Sequence, residues 1–205
     1  PQIVQAEAEH LHLLVEGMMA EGPVEALTLS GSSPSAATHS LYSDLIALAR
    51  ARQVPVFLDT YGPALDVVWG FWPDVLQLNR REAAAHLRKP LPTEAELIDL
   101  VESWTRRGVR LGLVTNGPGE VLVQSSGGRF RAHPPRILAV NPIGSGDCLL
   151  AGLVDAWLSG LSDEAVLRHG LACAVANALV WDAGAIDPQE VRRLEPLIEI
   201  DAGTP

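Results

Sequence analysis

Val4, Ala8, Leu11, Val15 and Met18 recur at alternating steps of four and three. That spacing predicts one apolar face of an amphipathic helix, and Gly22-Pro23 predicts where it ends. Residues 24–29 form a short apolar run that breaks at Ser30-Gly31-Ser32-Ser33-Pro34, as a buried strand entering a loop does. A helix over 36–51 follows. The pattern then repeats: a strand over 54–58 ends at Asp59, a helical stretch follows Gly62, and a strand over 75–78 ends at Asn79.

Thr93 and Glu96 have the spacing of a capping box, and Leu97, Ile98, Val101 and Trp104 then line one face, so 93–107 is predicted as a helix. Strands are expected over 111–114, 121–124 and 130–133, the last two as a hairpin about Gly127-Gly128 at the far edge of the sheet. Helices return over 145–159, 162–181 and 188–194, the last opened by Asp187 as N-cap, Pro188 at the first position and Glu190 at the third. This alternation predicts an α/β fold, a mostly parallel central sheet with helices on both faces, in one domain.

Composition narrows the partners. With 205 residues, 47% hydrophobic and a formal charge of -10, the chain has enough material for one sizeable core and repels nucleic acid and anionic membrane surfaces alike. No apolar run approaches a membrane span and the start lacks a secretory pattern, so a cytoplasmic protein is expected. Cys148 and Cys173 lie in apolar helical surroundings without metal-ligand spacing and read as reduced core thiols. His10, His12, His39, His86, His133 and His169 form no zinc-binding pattern. Trp69, Trp72, Trp104, Trp157 and Trp181 sit in helical patterns and read as core.

Chemistry concentrates in Asn141-Pro142-Ile143-Gly144-Ser145-Gly146-Asp147, which runs directly into the apolar helix beginning at Cys148. Glycines let the backbone adopt positive φ, and the amides of a helix's first turn point at one spot, a combination that binds anions. Taken alone, Asp147 reads equally well as a carboxylate that complements the helix dipole and as a base beside an anion hole. Asn79 and Glu82, taken alone, read as an N-cap and its partner. Arg80 and Arg81 read as solvated.

The run Asn-Pro-x-Gly-Ser-Gly-Asp, followed after three residues by Ala151-Gly152, resembles the carboxy-terminal signature of the PfkB (ribokinase-like) carbohydrate kinases. The resemblance implies a ribokinase-like fold using ATP and magnesium. It makes Asp147 the catalytic base at the substrate hydroxyl, with backbone from Gly144, Ser145 and Gly146 through Asp147 as the anion hole. Residues 29–34 resemble the Ser-Gly-Ser-Leu-Pro loop of the 1-phosphofructokinase and tagatose-6-phosphate kinase branch. Asn79 and Glu82 match the family's Asn-x-x-Glu, implying a role at magnesium and phosphate through water, with no direct metal ligand.

Thr115, Gly117 and Gly119 resemble a nucleotide-bordering turn, although Asn116 replaces an apolar residue there and one glycine is displaced. Asn177 lies where related kinases place a residue near the adenine, and Gly184 falls in the glycine turn that follows. Pro1-Gln2-Ile3 resembles a segment well inside a full-length kinase. The resemblance therefore makes residues 1–205 the C-terminal two-thirds of one kinase domain, with the N-terminal strands and substrate lid absent and phosphate transfer by this stretch alone expected to be poor.

The acceptor implied is a sugar or sugar phosphate, with hexose phosphates favoured and a homodimer left open. Gln77 stands where that branch commonly has a lysine, so ribose, another sugar or a nucleoside remains an alternative acceptor, as does an inactive nucleotide-binding fragment. A dinucleotide-binding oxidoreductase fits poorly, because Leu149 occupies the third glycine position of G-x-G-x-x-G, and no Walker motif exists.

Overall fold

The computed structural model describes residues 2–202; Pro1, part of the expected Pro1-Gln2-Ile3 match, lies outside them, and the side chain of Trp69 is also not described. Among the described residues the chain is α/β, with seven strands ordered as they occur in the sequence. It divides into two compact units, 1–112 and 113–205.

In the first unit, helix α1 (Gln5–Glu21) precedes strand β1 (Leu27–Ser30), helix α2 (His39–Ala51) and strand β2 (Val56–Asp59). Short α3 (Pro63–Asp66), strand β3 (Val75–Asn79), α4 (Arg80–His86) and α5 (Glu94–Arg106) follow. β1 pairs parallel with β2, and β2 parallel with β3, with Thr28 opposite Phe57 and Leu58 opposite Leu76. Val56, Phe57 and Leu58 are all fully buried, the continuous apolar run that a strand covered on both faces requires. Leu41, Leu45, Ile46 and Ala49 of α2, and Leu97, Leu100, Val101 and Trp104 of α5, complete this core. The capping box at Thr93 forms as expected, with Glu96 N donating to Thr93 Oγ1 and Thr93 N to Glu96 Oε2.

Strand β4 (Leu111–Thr115) contains the division between the units. The second unit continues with β5 (Val121–Ser125), β6 (Gly128–His133), α6 (Ser145–Leu158), α7 (Asp163–Ala178), α8 (Pro188–Leu194) and β7 (Glu199–Ala202). β5 and β6 form the expected antiparallel hairpin, closed at Ser125 and Gly128. The hairpin is not an edge: β7 pairs antiparallel with β6, Ile200 opposite Ala132. Its alternating Glu199-Ile200-Asp201 is too short to stand out as a strand until a partner is known.

Helices α6 and α7 pack at a point where neither tolerates a side chain. A Cβ on Gly152 would lie 2.8 Å from Cys173 Sγ and 2.9 Å from Gly170 Cα, and one on Gly170 would lie 2.8 Å from Leu153 Cδ2. His169 of α7 adds a polar tie, its Nδ1 2.5 Å from Glu195 Oε1 and its Nε2 3.2 Å from Asp155 Oδ2 of α6. Gly152→Val drives a branched side chain into backbone that cannot yield. Overpacking of this kind costs roughly 1–3 kcal/mol, and the expected result is a lower denaturation midpoint with an unchanged denaturant slope.

Two sequence expectations are corrected. The α1 face predicted as apolar contact surface is largely open: Val4, Leu11 and Met18 are 57%, 44% and 68% exposed, and only Ala8 and Met19 are buried. Periodicity identifies a face but supplies no partner for it. Trp181 lies in the turn after α7, which ends at Ala178, and is 74% exposed instead of core. No helix among the described residues is long and apolar enough to cross a membrane.

Candidate active site

In the second unit the loop before α6 is clipped to the end of α7. The Val140 and Asn141 amides donate to the Ala178 carbonyl, at 2.7 and 3.3 Å. Asn141 Nδ2 donates to the Trp181 carbonyl at 2.8 Å, while its Oδ1 accepts from the Ile143 amide at 3.1 Å. One asparagine thus shapes the loop and fastens it.

Gly144 is the N-cap of α6, left-handed at φ 82° and ψ -3°. A Cβ there would also meet Ala183 Cβ at 3.0 Å, so conformation and proximity both demand glycine. The helix proper starts at Ser145, and the Cys148 amide closes the first turn on the Gly144 carbonyl at 2.9 Å. The Ser145 amide donates back to the Pro142 carbonyl at 3.2 Å, and at the start of the helix the dipole adds positive potential. Asp147 is exposed in this first turn.

Asn177, on the last turn of α7, is completely buried behind this loop. Its Nδ2 donates to the Ile143 carbonyl at 2.8 Å and to Ser145 Oγ at 3.0 Å. Its Oδ1 accepts from the Gly184 amide at 2.8 Å and from the Cys148 thiol at 3.5 Å. The structure therefore brings Gly144, Ser145, Asn177 and Gly184 together, with protein partners at both polar atoms of the Asn177 amide. Position in the sequence suggested the neighbourhood; no motif signalled the brace.

Burial, and after it the charge of Asp147, pushes the Cys148 thiol up, so it remains a neutral donor. Burial pushes Cys173 up to about 11. Both cysteines are free and buried, as core thiols should be.

Thr115 ends β4, and the turn after it has Gly117 at φ 56° and the Gly119 amide donating to the Asn116 carbonyl at 2.9 Å. The departures from the family pattern at Asn116 still yield a closed, glycine-dependent turn.

In the first unit, Asn79 and Glu82 form a complete capping box. Asn79 Oδ1 accepts from the Arg81 and Glu82 amides, both at 3.0 Å, and Glu82 Oε2 accepts from the Asn79 amide at 2.8 Å. The cap fixes the pair as one unit at the carboxyl end of β3. Beside it, the neutral amide of buried Gln77 donates to Asp59 Oδ2 at 3.0 Å. The Ser30–Pro34 loop turns at Gly31, φ 98°, whose carbonyl accepts from Tyr42 Oη at 2.9 Å and Thr60 Oγ1 at 2.7 Å. Among the described residues no group of three or more His, Cys, Asp or Glu side chains could hold a metal ion.

A left-handed N-cap glycine and an exposed first-turn carboxylate thus stand together at the start of α6 on an α/β scaffold. The chain belongs to the pfkB family of carbohydrate kinases, whose family model matches residues 5–191. It is 32% identical over 167 residues to a 1-phosphofructokinase of Rhodobacter capsulatus, covering 82% of this chain and 52% of that protein. A crystal structure of a "possible 1-phosphofructokinase" from Thermotoga maritima superimposes with TM-score 0.88 at 19% identity, over 100% of this chain and 64% of that one. Phosphofructokinase-2 from Escherichia coli in complex with potassium gives TM-score 0.82 at 19% identity, over 91% of this chain and 61% of that one. The fold is thus ribokinase-like, and the chain spans about half the length of its curated relative.

Proposed function

We propose that this chain carries the catalytic and nucleotide-binding part of a kinase that transfers the γ-phosphate of magnesium ATP to a hydroxyl of a hexose phosphate. The observation that carries the reading is the start of α6, where left-handed Gly144 sets the first-turn amides beside the exposed carboxylate of Asp147. In the reaction, Asp147 accepts the hydroxyl proton, the hydroxyl oxygen bonds to the γ-phosphorus, and the bond to the β,γ-bridging oxygen breaks to release ADP. Amides of residues 144–147 stabilise charge on the transferring group, and held dipoles need no reorganisation as that charge develops. Magnesium arrives as part of the nucleotide substrate and would supply charge neutralisation at its phosphates.

The name of the Rhodobacter relative supports a sugar-phosphate acceptor. A second reading, a neutral sugar or nucleoside acceptor, is favoured by Gln77, a neutral residue buried against Asp59 at the position where the hexose-phosphate branch commonly has a lysine. The test is ADP release by the whole natural protein with magnesium ATP and fructose 1-phosphate, tagatose 6-phosphate, ribose and adenosine in turn. The proposal expects the highest kcat/KM with a hexose phosphate. Preference for ribose or adenosine would move the assignment to the second reading, and no ADP release with any of the four acceptors would leave an inactive nucleotide-binding fragment.

A further inference from the structure

Asn177 is an amide placed where packing alone would favour an apolar side chain, with Leu171, Ala172, Val175, Ala176 and Ala178 buried around it on α7. Burying an unpaired amide is expensive, and this one is repaid by four partners. Those partners fix its orientation without ambiguity. The Gly184 amide can only donate, so it must face Oδ1; the Ile143 carbonyl can only accept, so it must face Nδ2.

The same logic extends to Ser145. Nδ2 has hydrogens and no lone pair to offer, so Ser145 Oγ is the acceptor in that bond and its own proton is directed elsewhere. The hydroxyl proton, at the first position of α6, is left for another acceptor. Three segments meet on this side chain: the loop ahead of α6, the first turn of α6, and the glycine turn after α7.

We infer that Asn177 is a positioning residue for phosphate recognition: it sets the Ile143–Ser145 backbone and turns the Ser145 hydroxyl toward the nucleotide's terminal phosphates, without itself touching the ligand. This rests on the reading of residues 144–147 as the anion hole. A base-contacting Asn177 and a phosphate-positioning Asn177 differ in which part of the nucleotide they sense. AMP carries the base and one phosphate, tripolyphosphate carries only the phosphates, and ATP carries both.

The experiment measures dissociation constants of the whole natural protein and its Asn177→Ala and Asn177→Asp variants for magnesium ATP, AMP and magnesium tripolyphosphate, with circular dichroism on each. Asn177→Asp keeps the side-chain shape and the acceptor for Gly184, removes both amide donors and sets a carboxyl against the Ile143 carbonyl. The expected result is that both variants lose ATP and tripolyphosphate affinity by about ten- to a hundredfold, as buried hydrogen-bond partners left unpaired cost, while AMP affinity changes less than about threefold. Equal loss for ATP and AMP with tripolyphosphate unchanged would show a base contact and overturn the inference. Unchanged affinity for all three would overturn it as well.

Should neither variant fold, the wild-type Asn177 side-chain amide is read by NMR. Slow exchange with and without nucleotide is expected, and a direct proton-proton contact with the base overturns the inference. A wild-type protein that binds neither ATP nor tripolyphosphate would overturn the anion-hole reading together with this one, an outcome distinct from selective loss in the variants.

Discussion

Asp147→Asn is expected to lower kcat for sugar phosphorylation by roughly 10²- to 10⁴-fold, the range seen when a general base is lost. The amide is nearly the same size, so the substitution leaves the first turn of α6 and its amides in place. It removes proton-accepting capacity and one negative charge, and it forfeits about 0.3–1 kcal/mol of favourable interaction with the helix dipole. Removing that charge also relieves repulsion toward the nucleotide's phosphates. ATP should therefore bind as tightly as before or more tightly, and the loss should fall on kcat. Steady-state kinetics together with calorimetric ATP titration separate the two quantities; an unchanged kcat would take Asp147 out of the mechanism.

Gly144→Ala should be nearly as damaging by a different route. The residue sits at φ 82°, where an L side chain is strained by roughly 1–2 kcal/mol, and its Cβ would approach Ala183 Cβ to 3.0 Å. Relief requires the loop to rotate or retreat, and either motion carries the Ser145, Gly146 and Asp147 amides away from the phosphate. Loss of a single preorganised donor of this kind costs about 10²- to 10³-fold in kcat, so kcat/KM is expected to fall by at least about 10²-fold. Here ATP affinity should fall too, in contrast to Asp147→Asn. A Gly144→Ala enzyme with wild-type ATP affinity would mean that these amides do not hold phosphate.

Much of this site was legible from local chemistry. Asn141 through Asp147 announced a glycine-dependent turn at a helix start, and the structure has Gly144 left-handed with α6 beginning at the next residue. The capping boxes at Asn79 and Thr93 were likewise written in residues three apart, because their partners lie within one turn. What escaped depends on residues far apart in sequence. Asn177 reaches Ile143 across 34 residues, and nothing in its own neighbourhood marks it as a brace. Gly152 belonged to the recognised motif, yet its reason is the approach of Gly170 on another helix.

The same distinction explains the misreadings. The apolar periodicity of α1 and the helical setting of Trp181 were real patterns whose burial depended on tertiary partners, and Leu11, Met18 and Trp181 are exposed. Strand β7 became recognisable only through its pairing with β6. Local capping and glycine geometry are set by interactions within a few residues; burial and sheet edges are set by the whole fold.

Backbone amide NMR on Gly144, Ser145, Gly146 and Asp147 during titration with magnesium ATP, and separately with AMP, tests the claim at the atoms involved. Large shifts and slowed exchange at these four amides with ATP, and little change with AMP, are the predicted result. Saturable ATP binding that leaves all four signals unmoved would contradict it.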